Sequence, residues 1–308
     1  MLYDIIIIGG GPAGCAAAVY AARKQLKTLL ITEEFGGQSI VSADIQNWIG
    51  EKHISGFDLA KKFEEHVWAF SDMVEVKIPE RVTSVVPKEN NFVVTTESGA
   101  SYESRAVILA AGARRKKLGV PGEEQFNGKG VAYCSTCDAP LFGGKVVGVV
   151  GGGNAGLEAV VDLIPYAEKI YLLEYGDSLK GDPVTVEEIK KSPRVEIMLN
   201  VQTLEILGDT MVTGVKYKDR KTNEEKKLNA QGVFVEIGSV PNFEMVKGVV
   251  DLDKFGQVVI DSKHGTTSRP GIFAAGDITD DPYKQNNISA GDAVKAALAA
   301  YAYLLKRK

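Results

Sequence analysis

Short runs in which nearly every position is apolar alternate along this chain with segments of helical period and with stretches of period two. Ile5-Ile6-Ile7-Ile8, Thr28-Leu29-Leu30-Ile31, Val107-Ile108-Leu109-Ala110-Ala111-Gly112-Ala113, Lys145-Val146-Val147-Gly148-Val149-Val150, Ile170-Tyr171-Leu172-Leu173-Glu174 and Val233-Phe234-Val235-Glu236-Ile237-Gly238 read as strands. Runs that stay apolar at successive positions need cover on both faces, which is the condition of a parallel sheet held between two layers. Cys15 to Arg23, Asp58 to Phe70, Leu157 to Tyr166 and the alanine-rich Gly291 to Lys306 carry a helical pattern. Val82 to Tyr102 and Asn200 to Lys227 read as strand meanders, with turns at Asn90-Asn91, Ser98-Gly99 and Lys221-Thr222-Asn223-Glu224.

The order strand, glycine turn, helix, strand, meander, strand occurs twice. It predicts an α/β fold of two Rossmann-like three-layer (ββα) dinucleotide-binding domains. The basic, Pro/Gly-marked segment Arg114-Arg115-Lys116-Lys117 to Pro121-Gly122 is one break in the pattern, and Ser239-Val240-Pro241-Asn242 is the other. Two breaks around one dinucleotide fold predict that the second domain is inserted into the first. The expected division is residues 1–113 with 243–308 for the first domain and 114–242 for the second.

The first strand ends in Gly9-Gly10-Gly11-Pro12-Ala13-Gly14, a GxGxxG between strand and helix. The first glycine allows the tight turn, the second lets backbone approach a pyrophosphate, and the third lets helix and strand pack closely. Thr32-Glu33-Glu34 ends the next strand about 20 residues on, where Glu33 is placed to hold a ribose hydroxyl. Gly151-Gly152-Gly153-Asn154-Ala155-Gly156 repeats the turn, and Glu174 repeats the acid. A 2′-phosphate would need arginines near that strand end, whereas Glu174-Tyr175-Gly176-Asp177 supplies carboxylates and the next base in sequence is Lys180. Carboxylates repel a phosphate and accept hydrogen bonds from a diol, so the expected nucleotide is NADH rather than NADPH. Cys15, among alanines, reads as a small core residue.

Between the two folds lies Tyr133-Cys134-Ser135-Thr136-Cys137-Asp138. Two cysteines with two residues between them can cycle between disulfide and dithiol, and a thiolate at a helix start gains from the dipole if Cys137 opens a helix. Asp138, directly after the pair, could exchange a proton as a thiolate leaves or forms. A structural zinc site would need four ligands, and Cys15, His53, His66 and His264 do not fall at ligand spacing. The formal net charge of -4 over 308 residues gives no basic field for nucleic acid. No apolar run approaches the roughly 20 residues that span a bilayer. The start of the chain passes straight into a strand, so a cytoplasmic location is expected.

With these motifs in register, nearly the whole chain resembles the low-molecular-weight thioredoxin reductases. The resemblance rests on GGGPAG at Gly9 to Gly14, Gly36-Gly37-Gln38, Asn47-Trp48, CxxCD at Cys134 to Asp138, the second glycine turn, Ile237-Gly238-x-x-Pro241-Asn242 and Pro270-Gly271-Ile272-Phe273-Ala274-Ala275-Gly276-Asp277. In the second half, Leu173-Glu174-Tyr175 and Pro282-Tyr283-Lys284-Gln285 are more similar to the flavoprotein component of alkyl hydroperoxide reductase, which is NADH-dependent. That relative also carries an N-terminal thioredoxin-like domain, which is not found in this sequence, so any dithiol partner is expected to be a separate protein.

The resemblance implies FAD in the first domain. It would be held by Gly9, Gly11, Pro12, Ala13 and Gly14 at the pyrophosphate and by Thr32 and Glu33 at the adenosine ribose. Gly37, Gln38 and Asn47 would lie on the flavin side, Asp277 at the ribityl chain, and Lys284, Gln285 and Asn286 near the ring. Val82, Ala111, Gly112 and Gly276 would complete the site. NADH would contact Gly151, Gly153, Asn154, Ala155, Gly156, Glu174, Ile237 and Gly238. Cys137 would face the flavin, Cys134 would attack the partner's disulfide, and Asp138 would protonate the leaving thiolate. A homodimer, and a thioredoxin- or glutaredoxin-like disulfide protein as acceptor, follow from the same resemblance. A hydrogen-peroxide-forming NADH oxidase and a flavin electron carrier fed by a protein such as ferredoxin are the alternative activities. Departures from the family pattern are the absent 2′-phosphate arginines and Lys284 in place of an arginine.

Overall fold

The computed structural model describes residues 1–42 and 44–307, which fall into two compact units. Unit 1 comprises Met1–Ser42, Trp48–Arg114 and Val240–Lys308; unit 2 comprises Ala43–Asn47 and Arg115–Ser239. No described helix is long and apolar enough to cross a membrane.

Unit 1 is built from β1 (Leu2–Gly10), α1 (Pro12–Arg23), β2 (Thr28–Phe35), α2 (Gly56–Trp68), β3 (Val74–Lys77), β4 (Val82–Pro87), β5 (Phe92–Thr96) and β6 (Ser101–Leu109). β1 pairs in parallel with β2 and β6, and β2 with β3. The isoleucine run of β1 is buried on both sides, and its alternation sorts the layers. Ile5 and Ile7 pack into the core beneath the helices, whereas Ile6 and Ile8 pack against β4 and β5 residues such as Val85 and Val94. β6 serves two layers along one strand. Its first half, Ser101 to Ser104, pairs antiparallel with β5, and its second half, Val107 to Leu109, lies parallel to a strand that arrives later in the chain. The meander and the buried run expected separately on either side of Glu103 are thus one continuous strand.

The chain leaves unit 1 through β7 (Ala113–Arg115). Unit 2 then contains β8 (Val131–Ala132), α3 (Ser135–Asp138), β9 (Val146–Val150), α4 (Asn154–Leu163), β10 (Lys169–Glu174), α5 (Pro183–Lys191), β11 (Val195–Leu199), β12 (Val201–Gly208), β13 (Val212–Asp219), β14 (Glu225–Asn229) and β15 (Gly232–Val235). β11, β10, β9, β15 and β8 form a sheet in that order, and β12 to β14 a separate antiparallel one. Alternation again separates the layers: Val147 and Val149 of β9 pack with α4, while Val150, Leu173, Val233 and Val235 pack against Val201, Ile206 and Val215 of the meander.

The chain returns through β16 (Ser239–Pro241), which pairs with β7, so the basic segment expected as a solvated connector is in part a two-stranded ribbon. Arg114 is fixed there, its guanidinium donating to Asn242 Oδ1 at 2.8 Å and Glu244 Oε1 at 2.5 Å. β17 (Ile272–Ala274) pairs with β6, and α6 (Asn286–Leu305) closes the core of unit 1. Alanines at 17, 18, 21 and 22 of α1 and at 293, 296, 297 and 300 of α6 are buried in one cluster, small enough for close helix packing.

Candidate active site

Both glycine turns sit at the carboxyl ends of the central strands, where strand order reverses and α/β sheets leave a crevice. In unit 2 the three glycines divide the work. Gly151 has φ of +120°, the left-handed region that favours glycine. A Cβ on Gly156 would collide with the Gly151 carbonyl, so α4 can approach β9 only without one. A Cβ on Gly153 would meet nothing within 4 Å, so the fold itself leaves that cradle open. In unit 1, Gly9 has φ of +112°, a Cβ on Gly14 would collide with the Gly9 carbonyl, and beside Gly11 only Gly37 Cα comes as near as 3.9 Å. In both turns the middle glycine is free of fold constraints, which fits a group that approaches the backbone closely.

In unit 2 the turn opens on a cleft of about 620 Å³, lined by Gly151, Gly153, Asn154, Ala155, Glu174, Ile237 and Gly238. These are seven of the eight residues expected to hold the pyridine nucleotide; Gly156 lies behind them in the helix–strand contact. Glu174 is pinned at the strand end: Oε2 accepts from Gly152 N–H and Oε1 from Gly176 N–H, each at 2.6 Å. Its position is therefore set by backbone, with further lone pairs left for a diol. Leu118, Tyr175, Thr203 and Glu236 also line the cleft. Sequence spacing missed one base here. Arg220 lies 3.8 Å from the Tyr175 ring centroid and donates to the Tyr175 carbonyl at 2.8 Å, across 45 positions of sequence. Folding, not local order, brings this cation against Tyr175, one of the residues that line the cleft.

In unit 1 the structure draws most of the expected flavin residues around the start of α1. Gly37 faces Gly11, and a Cβ on Gly276 would press on Ala13 and Ser289. Asp277 Oδ1 accepts from Ser289 Oγ at 3.4 Å, and Asn286, opening α6, accepts from Ser39 Oγ at 2.9 Å. Pro12 begins α1 and Gln285 is the N-cap of α6. Gln38 donates its amide to the Ala113 carbonyl, and Asn242 holds the neighbouring Ala111 and Gly112 carbonyls at 2.7 and 3.0 Å. Lys284 Nζ donates to Thr279 at 2.5 Å; burial pulls its pKa down against the upward pull of Asp277, Asp281, Asp280 and Asp253. Val82 is a core residue of β4 and Thr32 is buried in β2, whereas Glu33 is exposed. Asn47 groups with unit 2. Cys15 donates to the Gly10 carbonyl at 3.2 Å, and burial pushes its thiol up to about 12, leaving it inert.

Cys134 and Cys137 form a disulfide in unit 2, with Cα atoms 5.3 Å apart. Cys134, not Cys137, stands at the helix start: it is the N-cap of α3, a single turn in which Cys137 is the third residue. The two residues between the cysteines are tied down from α4, since Ser135 Oγ and Thr136 Oγ1 both donate to Asp162 Oδ2, at 2.8 and 3.2 Å. On the other side Tyr133 donates to Glu123 Oε1 at 3.0 Å, and that buried carboxylate also accepts from the Leu118 and Gly119 amides. Burial pushes Asp138 up to about 6, opposed by the Arg115 guanidinium. A carboxyl in that range can both give and take a proton near neutrality.

Residues 3–300 match the family described as pyridine nucleotide-disulphide oxidoreductase. The chain belongs to that family. Its cofactors are accordingly FAD and a pyridine nucleotide. The chain is 45% identical over 305 residues to "NADH dehydrogenase" of Bacillus subtilis, covering 99% of this chain and 59% of that protein. It is 43% identical over 308 residues to the F component of alkyl hydroperoxide reductase of Pseudomonas aeruginosa, covering 99% and 58%. The chain thus spans about three fifths of the length of these curated relatives. Among solved structures, thioredoxin reductase from Streptococcus pyogenes superposes with a TM-score of 0.92 at 36% identity, covering 99% of both chains. These likenesses carry the two-domain dinucleotide-binding fold across the whole chain and make it an oxidoreductase similar to thioredoxin reductases.

Proposed function

We propose that this chain is a flavoprotein disulfide reductase that draws electrons from NADH and delivers them through Cys134 and Cys137 to the disulfide of a dithiol domain or protein. The observation that carries the reading is the closed Cys134–Cys137 disulfide beside Asp138, on the same unit as the glycine-turn cleft. When bound, FAD in unit 1 and NADH in unit 2 supply the hydride and electron-pair chemistry that opens the disulfide. The chain's own residues do the rest. Gly151 to Ala155 present backbone to the nucleotide pyrophosphate, and Glu174 orients the adenosine ribose and repels a 2′-phosphate. Asp162 holds the residues between the cysteines, so the sulfurs stay in register as the bond opens. Asp138 moves the proton at the leaving sulfur, and the freed Cys134 thiolate attacks the partner's disulfide.

The partner class is a small thioredoxin- or glutaredoxin-like protein, or a peroxiredoxin-coupled carrier. The likeness to a curated relative named for alkyl hydroperoxide reductase supports the last. Anaerobic titration of the FAD-loaded protein with NADH, and separately with NADPH, tests the reading. Bleaching by NADH in preference, at about two equivalents per flavin because the disulfide takes a second electron pair, is the expected outcome. Preferential bleaching by NADPH would reassign the nucleotide and point to Arg220 as its phosphate ligand. A Cys134→Ser variant that still passes electrons to the natural acceptor at the wild-type rate would replace disulfide reduction with the oxidase reading, which the relative named NADH dehydrogenase supports.

A further inference from the structure

Glu236 lines the nucleotide cleft, yet nothing described so far uses its carboxyl. It follows directly on β15, its backbone N–H bonds to the Val150 carbonyl at 2.9 Å, and its own carbonyl abuts the Gly151 turn. The residue is 7% exposed, and Oε1 is fully buried without a hydrogen-bond partner among the described residues. β15 lies parallel to β8 with Phe234 opposite Ala132, so one strand runs on to Glu236 as the other runs on to Cys134, and the Ser135 backbone amide opposes the upward push of burial on the carboxyl. The charged groups facing it are Arg115 from β7, Asp138 from α3 and Asp162 from α4. Three carboxyls therefore surround the redox turn. Asp162 accepts from two hydroxyls, and the positive charge of Arg115 acts on both Asp138 and Glu236.

We propose that Glu236 is a positioning residue of the redox pair whose buried carboxyl takes up a proton when the Cys134–Cys137 disulfide opens. The inference rests on the reading of these cysteines as a working redox couple. Breaking the S–S bond with two electrons and one proton leaves one thiol and one thiolate. That new negative charge lies near buried acids and one guanidinium, and like charges held close together with little access to water cannot all persist. Glu236, with an orphan oxygen that gains nothing from ionisation, is the group that neutralises. The balance at alkaline pH is disulfide, ionised Glu236, two electrons and two protons giving thiol, thiolate and neutral Glu236. Burial supports this, since it pushes Glu236 up to about 8 in the disulfide form, with Arg115 opposing. Below that pH the carboxyl is already neutral and reduction needs only the protons of the cysteines.

The test equilibrates the FAD-loaded protein anaerobically with dithiothreitol redox buffers at pH values on either side of about 8. Acid quenching, alkylation and mass measurement then read the thiol fraction. Above that pH the wild-type reduction equilibrium should fall by about an additional tenfold per pH unit relative to Glu236→Gln, about 30 mV per unit for a two-electron couple. Glu236→Asp should restore a pH-linked step, displaced along the pH axis. Superimposable wild-type and Gln curves would overturn the proposal. Should the Gln variant fail to fold, infrared difference spectra of an Asp138→Asn protein decide, since Asp138 is the other carboxyl beside the pair whose pKa burial raises. A carboxylic-acid C=O band gained on reduction above pH 8 upholds the proposal, and no such band overturns it. Cysteines that do not exchange with dithiothreitol in wild type or variant would instead defeat the redox-couple reading beneath it.

Discussion

Asp162 accepts the Ser135 hydroxyl at 2.8 Å, so the helix that starts in the second glycine turn holds the residue that follows the first cysteine of the disulfide. The same oxygen takes Thr136 at 3.2 Å. Asp162→Ala strands both hydroxyls and should lower stability by about 1–3 kcal/mol. It should also loosen the spacing of the sulfurs, so that disulfide reduction slows while NADH still reduces the flavin. Rapid-mixing kinetics that separate flavin reduction from thiol appearance check this; equal slowing of both steps would refute it.

Glu174 carries a prediction about the nucleotide. Both of its oxygens are already fixed by backbone amides at 2.6 Å, so the side chain presents its remaining lone pairs without first being ordered. Glu174→Ala should weaken NADH binding by about ten- to a hundredfold, the range for hydrogen bonds to a charged group. NADPH binding should fall less or improve, because a repulsive charge is removed. The ratio of the two KM values is the measurement, and a ratio unchanged from wild type would remove Glu174 from the ribose.

The middle and last glycines of the second turn should respond differently to one methyl group. Gly156→Ala forces its Cβ into the Gly151 carbonyl and should destabilise unit 2 by about 1–3 kcal/mol or more. Gly153→Ala meets nothing within 4 Å, so melting should be unchanged while nucleotide affinity collapses. Thermal unfolding and NAD+ calorimetry on both variants give the comparison.

Stability should decline from acid toward mildly alkaline pH through two carboxyls. Burial raises Asp138 from 3.8 to about 6 and Glu236 from 4.5 to about 8. The folded state binds these protons more tightly than the unfolded chain, so their contribution is full below about pH 4 and is lost as pH rises through the folded values. Asp138→Asn and Glu236→Gln should each flatten the pH dependence of the urea midpoint and be more stable than wild type at pH 8. The pair acts on each other electrostatically, so the double variant should not be additive. A wild-type midpoint that rises between pH 5 and pH 8 would contradict the assignment.

Much of the fold was legible because the doubly covered strands and the glycine turns state their environment locally. Ile5 to Ile8 can only be a strand with two dry faces, and GGGPAG can only be tight between strand and helix. Short elements at the sheet edges, half exposed to water, gave no such signal. β3, with the sequence Val-Glu-Val-Lys, and β11, with Val-Glu-Ile-Met-Leu, are edge strands that went unread, as did α5 between β10 and β11. α6 begins at Asn286 rather than Gly291, because its first turn is polar and looks like loop. The candidate site was legible where its residues are contiguous, as in CxxCD. It was hidden where folding joins distant residues: Asp162 to the cysteine turn, Arg220 to Tyr175, and Glu236, which an otherwise apolar run disguised as one more strand position.

The long strand β6 imposes an order in time. Its second half lies beside β17, and α1 finds its alanine partners on α6, both of which are translated after all of unit 2. On the ribosome, the residues that would cradle the flavin pyrophosphate must wait with one flank of their sheet uncovered while the interior domain emerges and closes upon itself. The last described helix to be made is therefore the one that lets the first glycine turn settle, and a ribosome stalled before Ile272 should carry a finished nucleotide unit hung on an unfinished first one.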